Sequence, residues 1–424
     1  MKKIAVIGSG ISGLTCAHYL QNDFDVTVFE KNDYVGGHTA TKTVSVAEGE
    51  FDIDTGFIVF NDWTYPNFIR LLNSLGVDSL ATDMGFSVSC ENSGLEYSGT
   101  SLATMFAQKK NWFSLKHWRF IKDIVKFNKI SKERLEQGEL PEDLTLGEYV
   151  KELNMSQRFV EQYIIPMGAA IWSSGLAKMY EFPALYFIRF FKNHGLLNIE
   201  DRPQWSVIRN GSKSYVNALL EQSSFTVRCT SKIQSVIPAE DNMSNNWLIR
   251  LDNGEECEYE HVIFACHSDE AMALLPEQKS DARDILSKIS YSNNEVVLHT
   301  DQSLLPTLRT TWSSWNYKIR SGQTETATLS YSMNILQRLN CQTQFIVTLN
   351  DTNSIAEEKI LGQYQYAHPV YDKGTLEAQA QRNTINGKDN LWFCGAYWYA
   401  GFHEDGVRSG LDVVKALGVD IEIL

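Results

Sequence analysis

The run Ile4-Ala5-Val6-Ile7 is wholly apolar and stops at Gly8, after which the period changes: Leu14, Ala17, His18 and Leu20 follow a helical spacing. Val26-Thr27-Val28-Phe29 then returns to a strand-like pattern, so the chain opens as strand, glycine turn, helix and strand, the start of a parallel α/β sheet. Similar buried runs reappear at His261-Val262-Ile263-Phe264-Ala265-Cys266 and at Leu391-Trp392-Phe393-Cys394, the second closed by Gly395. Gly401 to Gly410 reads as a turn feeding a last helix. Residues from roughly Ser101 to Phe191 carry a helical pattern, whereas Glu295 to His299, Thr326 to Tyr331 and Gln344 to Leu349 alternate as strands do, as does the chain around Val227 and Trp247.

Gly8-Ser9-Gly10-Ile11-Ser12-Gly13 has the form of a dinucleotide grip. Gly8 permits the sharp turn off the strand, Gly10 lets backbone approach a pyrophosphate, and Gly13 lets the helix pack closely on the sheet. The phosphates would meet the positive end of that helix at Ile11 and Ser12. Glu30 stands at the offset where a carboxylate accepts from a ribose diol, which disfavours NADP. The competing reading is an ordinary glycine-rich turn, and the flanking strand, helix and acid weigh against it.

The next residues are Lys31-Asn32-Asp33-Tyr34-Val35-Gly36-Gly37-His38-Thr39, and the paired glycines suggest a second close approach of backbone to cofactor. With this block the chain resembles the flavin amine oxidase and phytoene-desaturase superfamily, which carries E-(x)-GG-R-x-x-T after its ribose acid. Here His38 replaces the usual Arg, and an imidazole is mostly neutral at pH 7 and lacks a bidentate fork. Phe51-Asp52-Ile53-Asp54-Thr55-Gly56-Phe57 is similar to the family's D-x-G turn past the flavin, although Asp52 and Asp54 fit a solvated strand edge equally well. Gly395 and the stretch Gly401 to Gly410 resemble the closing F-x-G-(x)n-G-x-x-E-G-A-(x)-S-G block. Arg202 to Ser212, Thr311 to Tyr317, Tyr331 to Gln337 and Gly401 to Gly406 look like a bacterial branch of predicted NAD/FAD-binding oxidoreductases associated with cyclopropane-type fatty-acid modification.

The resemblance implies an amine-oxidase-type α/β fold with a discontinuous FAD-binding domain (1–76, 205–291 and 384–424). The substrate domain would take 77–204 and 292–383, helical over 101–191 and a sheet over 292–383. It implies FAD held noncovalently, since no SGGC-like attachment sequence is present, with contacts from Gly8, Gly10, Ile11, Ser12, Gly13, Glu30, Lys31, Gly36, Gly37, His38, Thr39, Thr55, Gly56, Phe57, Ile233, Gly395, Glu404, Asp405, Gly406 and Val407. Glu404 and Asp405 fit helix caps as well as cofactor contacts.

Composition changes this picture little. The 424 residues are 43% hydrophobic, enough for a large core in two or three domains. A net charge of −14 makes nucleic acid an improbable partner. The seven cysteines lack CxxC or metal spacing, which suits reduced thiols and a cytoplasmic setting. The apolar run after Met1-Lys2-Lys3 is too short for a signal peptide, no segment is long enough to cross a bilayer, and the chain stops too soon after its last helix for an anchor of the monoamine oxidase kind.

One stretch departs from the acidic background. From Ser101 to Leu135, nine basic residues face only Asp123 and Glu133, a local charge of +7, with Trp112, Phe113, Trp118 and Phe120 among them. Such a helix can lie on anionic lipid at the membrane's inner face through 109–134, or simply pack its apolar stripe on the core.

Chemistry at a flavin asks for a dry pocket, and Trp398, Tyr399, Phe402 and His403 follow the last strand where such a pocket would be walled. Trp398 and Tyr399 could cage an amine, exclude water beside an acyl chain, or serve as ordinary core. His403 titrates in the range needed for proton transfer, yet also fits a hydrogen-bonding spacer; His194 and His267 are weaker candidates. The sequence therefore leaves three readings: oxidation of an acyl or other hydrophobic lipid chain, amine oxidation, and a flavin-binding partner protein with little turnover.

Overall fold

The computed structural model describes residues 1–172, 175–239, 246–322 and 328–424. Five parallel strands make the first sheet, in the order Thr226–Arg228, Asp25–Phe29, Lys3–Ile7, His261–Phe264 and Leu391–Phe393. The chain leaves the middle strand at Gly8, where neighbouring connections run in opposite directions, the place where open α/β sheets bind ligands. The helix Ile11–Leu20 and the last helix, His403–Ala416, lie together against this sheet. An antiparallel sheet of Ile233–Pro238, Trp247–Leu251 and Glu256–Tyr259 flanks it.

A seven-stranded sheet forms the floor of the other half, in the order Ile360–Pro369, Tyr291–His299, Ile346–Leu349, Leu329–Ser332, Trp315–Ile319, Phe86–Cys90 and Leu95–Ser98. Of the strand expected at 326–331, residues 326 and 327 lie outside the described residues. Helices from Leu102 to Asn193 cover this sheet, and Phe120, Phe127, Phe159 and Phe187 share one core with Val88, Tyr317 and Leu329. One irregularity has a local cause. Pro166 has no N–H, so the carbonyl of Gln162 lacks its helical donor; the helix widens to a π turn over Val160–Ile164, and the Tyr97 hydroxyl donates to that carbonyl at 2.5 Å.

The sheet expected over 292–383 is wider than that range, and one expected boundary moves. The strands Phe86–Cys90 and Leu95–Ser98 join the large sheet because Phe86 to Cys90 pairs in parallel with Trp315 to Ile319. The helix Lys373–Ile385, expected with the substrate half, buries Ala378 and Ile385 in the core of the first sheet. Arg382 on that helix fixes it there: its guanidinium donates to Asp412 at 2.6 Å and to the carbonyls of Phe393 and Ser409 at 3.3 and 3.1 Å.

The first and last helices meet through glycine. A Cβ on Gly410 would stand 2.8 Å from the Ser12 carbonyl oxygen, and one on Gly406 would stand 2.6 Å from Ile11 Cγ2. Gly410→Val should therefore force the helices apart and lower stability by roughly 1–3 kcal/mol, read as a lower melting temperature of the cofactor-free protein. An unchanged melting temperature would show that this contact yields without cost.

Candidate nucleotide site

The glycine turn divides its labour as the motif suggests. Gly8 has φ +106°, and a Cβ there would lie 2.8 Å from the Ala265 carbonyl oxygen; a Cβ on Gly13 would lie 2.1 Å from the Gly8 carbonyl oxygen. Gly10 differs, because a Cβ would meet nothing within 4 Å. Its φ of −65° suits any residue, so the glycine keeps open space at the start of the helix Ile11–Leu20 rather than relieving backbone strain. That is a cradle the size of a passing pyrophosphate would require.

Glu30 is buried at the end of its strand, and all four of its acceptor directions are used. Ser9 N–H and Oγ donate to Oε2 at 3.1 and 2.6 Å, and Asn32 N–H and Nδ2 donate to Oε1 at 2.9 and 2.8 Å. A ribose diol must share or displace one of these donors. Ser9 Oγ also accepts from Gly36 N–H at 3.2 Å, tying the two glycine loops together. Lys31, expected at the cofactor, pairs instead with Glu270 on the surface. Ile233 begins the flanking sheet, directly after Thr230 and Ser231, whose N–H groups donate to the carbonyls of Asn32 and Glu30.

The loops 36–40 and 54–57 are stitched to one another. Thr55 N–H donates to the Ala40 carbonyl at 2.9 Å and Phe57 N–H to the His38 carbonyl at 2.8 Å. Gly56 is needed for that fit, since a Cβ would lie 2.1 Å from the His38 carbonyl oxygen. Gly37 sits over Gly10, its Cβ position 3.2 Å from Gly10 Cα. Asp54 is no solvated edge: buried, it accepts from Thr41 and from Ser212 N–H and Oγ, and burial lifts its carboxyl to about 6.

His38 falls among aromatic rings, 5.4 Å from Tyr366, 5.5 Å from His368 and 5.9 Å from His267. Burial, then the two neighbouring imidazoles, pushes it down to about 3, and its Nε2 is enclosed without a partner among the described residues. It cannot act as the cation that an arginine would be at this place. The surrounding cluster of Tyr366, His368 and His267 has no counterpart in the spacing of the sequence.

His403 stacks on Phe57 at 3.7 Å with an 8° tilt, and its Nε2 lies 2.9 Å from the Tyr215 hydroxyl, which in turn lies 2.6 Å from Thr39 Oγ1. Burial and the nearby His38 push its imidazole down to about 3. Its ring is thereby held neutral and oriented by Phe57 and Tyr215. Sequence reasoning missed Ser9, Asn32 and Tyr215: the first two occupy variable positions of the glycine blocks, and Tyr215 belongs to no spaced motif.

Two further expectations are corrected. Glu404 accepts from Asn67 N–H and Nδ2 and from Phe68 N–H, at 3.1, 2.7 and 2.8 Å, so it caps the helix Pro66–Leu75 instead of facing a cofactor. Trp398 and Tyr399 turn away as a pair. The tight turn at Gly395 (φ +155°) sends Trp398 into the core behind the first sheet, while the Tyr399 hydroxyl donates to Asp412 at 2.6 Å with Arg408 over its ring. They therefore build no cage beside His403. Asp405 caps its own helix by accepting from Phe402 N–H at 2.9 Å, and burial raises its carboxyl to about 7. The start of that helix, from His403 through Gly406 and Val407, adjoins the first turn of Ile11–Leu20.

Known proteins share the fold. Residues 6–75 match a family model described as an NAD(P)-binding Rossmann-like domain. Over 79 residues the chain is 42% identical to the 1-hydroxycarotenoid 3,4-desaturase of Flavobacterium sp. (strain P99-3), a match covering 18% of this chain but only 15% of that protein. A CLA-producing fatty acid isomerase from P. acnes is similar over 99% of both chains with a TM-score of 0.69 and 15% identity. Putrescine oxidase with putrescine bound is similar over 98% of both chains (TM-score 0.68, 14% identity), as is cyclohexylamine oxidase from Brevibacterium oxydans IH-35A (98%, TM-score 0.67, 13% identity). The chain has a Rossmann-like nucleotide-binding segment inside the fold of the amine oxidase and desaturase type.

Two outcomes test the site. Gly10→Ala should leave the melting temperature of the cofactor-free protein unchanged while weakening retention of a bound dinucleotide at least tenfold, about 1.4 kcal/mol, whereas Gly13→Ala should lower the melting temperature itself. Equal retention by Gly10→Ala would place the pyrophosphate elsewhere. The second concerns pH. His38 and His403 (about 3) and His194, His299 and His368 (about 4) titrate in the folded protein below the usual 6.5, so the unfolded chain binds more protons and stability is lost as pH falls through 6.5 toward 4. Asp54 (about 6) and Asp405 (about 7) act in the opposite sense, losing stability as pH rises from the ordinary carboxylate value, but they are two groups against five. The melting temperature should fall between pH 6.5 and 4.5; a flat profile there would mean that the histidines are hydrated.

Proposed function

We propose that the protein is an FAD-dependent oxidoreductase that removes hydride from a C–H bond of a hydrophobic substrate, in the first instance by desaturation or a related redox change of a fatty-acyl or other lipid chain. The observation that carries this reading is the aromatic wall reaching from the nucleotide site into the helical half. Phe402 stacks on Phe190 at 4.9 Å and Phe190 on His194 at 3.8 Å. Tyr186, Tyr331 and Tyr366 are half-buried against the core of that half, and His194 is half-buried beside Phe190. An acyl chain fits such a wall, because it needs exclusion of water and no charged partner.

The fit to FAD rests on the open cradle at Gly10 and on the two helix starts that meet beside it. Bound there, FAD supplies the hydride acceptor that no side chain of the chain can provide. The chain's own residues hold and shape. The amides of Ile11 and Ser12 would face the phosphates, Phe57 and His403 form a stacked pair, and Phe402 packs on Phe190. The named activities of the similar isomerase and desaturase, both on long apolar substrates, agree with this choice.

Amine oxidation is the second reading, and a different pair of rings favours it. Tyr186 and Tyr371 stack 5.9 Å apart at 19°, their hydroxyls have no partner among the described residues, and the Asp405 carboxyl bears on both. Such a pair beside a carboxylate can hold a cationic amine.

The FAD-loaded protein should be mixed without oxygen with a phospholipid and fatty-acid extract and, separately, with a pool of amines. Loss of visible flavin absorbance with lipid alone is expected; loss with amines alone would replace the proposal with the second reading. No change with either would make the chain a flavin-binding partner without turnover of these classes.

A further inference from the structure

The turn Lys109–Phe113 and the start of the helix Leu115–Gln137 carry a surface that the redox site does not use. Phe113 is 93% exposed and Leu115 is 87% exposed, more than any other large apolar side chain of the described residues. Leu102, Trp112, Trp118 and Val125 are also exposed, so half of the exposed large apolar side chains among the described residues fall within 102–125. An apolar concentration of that kind on a protein with a net charge of −14 calls for a partner.

This segment is held rigidly outward. Phe106 is buried between Trp112 at 4.2 Å and Trp118 at 4.8 Å, and Trp118 Nε1 donates to the Trp112 carbonyl at 2.9 Å. His117 Nε2 pairs with the Met105 carbonyl at 3.0 Å, and Ser114 Oγ caps the helix by accepting from His117 N–H. The helix does bury a stripe, His117, Phe120 and Phe127, and it is the other side that is left over.

Within the segment the charge is one-sided, although Glu91 and Glu96 line a cavity beside Lys109 and Lys110. Lys109, Lys110, Lys116, Arg119 and Lys122 are exposed, and among the described residues none has a carboxylate within ion-pair distance. The two acids of the stretch are withdrawn: Asp123 is buried and accepts from Ser156 N–H at 2.9 Å, and Glu133 lies near the far end beside Lys129.

We propose that this face docks the protein on the surface of an anionic lipid bilayer, with Phe113 and Leu115 entering the acyl boundary and the five cations lying at headgroup level. The chemistry selects that partner. Bulky apolar tips that project singly from a convex turn need a fluid apolar phase, tryptophans beside them favour the interface, and unpaired cations complement anionic headgroups. Local charge must do this, since the remainder of an acidic chain is repelled by such a surface. The docking needs no lipid substrate and stands or falls apart from the reaction proposed above.

The full-length protein should be sedimented with phosphatidylcholine vesicles and with vesicles in which roughly one lipid in three is phosphatidylglycerol. Binding is expected to the anionic vesicles, at least tenfold weaker to phosphatidylcholine alone, and lost at about 0.5 M salt. Phe113→Ser with Leu115→Ser, and separately Lys109→Glu with Lys110→Glu, should each weaken it tenfold or more without changing the melting temperature, all four positions being exposed. Absence of sedimentation with anionic vesicles, or equal binding by both double variants, overturns the proposal. Self-association that Phe113→Ser with Leu115→Ser abolishes, without vesicle binding, would overturn it in favour of a second copy of the chain.

Discussion

The contact between the first and the last helix is the constraint on which the nucleotide site depends. Gly406 and Gly410 let His403–Ala416 lie directly on Ile11–Leu20, and this brings two helix starts to one place. Each start carries unsatisfied N–H groups and a partial positive charge, so their convergence is unfavourable alone and is relieved by an anion between them. The contact is reinforced nearby. Ser409 Oγ accepts from Gly395 N–H at 2.9 Å, and the thiols of Cys16 and Cys394 meet at 3.8 Å. The turn at Gly395 is thereby locked, with Trp398 and Tyr399 fixed on its far side.

Charge in the site comes from backbone more than from side chains. His38 and His403 are held neutral by burial, Lys31 faces Glu270, and Glu30 is fully occupied by Ser9 and Asn32. A phosphate bound at Gly10 would meet preorganised amides whose positions cost little to maintain, in a region of low dielectric where they act strongly. An arginine at position 38 would supply a permanent charge and would need its own desolvation balanced. The enclosed imidazole avoids that cost, and its ring packs against Tyr366 and His368 in the loop wall instead.

What the sequence revealed was what local chemistry determines. Gly8 and Gly13 stand where a Cβ would meet backbone, as a tight turn and a closely packed helix require, the helical stretch lies where its period placed it, and the runs at 261–264 and 391–393 are neighbouring buried strands. The misplaced residues depend on distant partners. Glu404 answers to the start of a helix 337 residues earlier, and Tyr399 to Asp412 across the last helix. Nothing local to Trp398-Tyr399 indicates that the turn after Gly395 points them away from His403. The pairing of 86–90 with 315–319, and of Arg382 with Asp412, likewise joins segments whose own patterns are silent about each other.

The same long reach orders the assembly of the site. Its two faces lie at opposite ends of the chain, and the edge strand 391–393 joins the sheet through its pairing with 261–264. Contacts of such sequence separation carry a large loop-closure cost and form late unless the intervening halves are already compact. The helical layer and the seven-stranded sheet share one core and can reach that compactness without the last helix. Docking of His403–Ala416 on Ile11–Leu20 then both closes the fold and completes the nucleotide cradle, so a ligand that binds only the completed cradle adds its binding free energy to this final step.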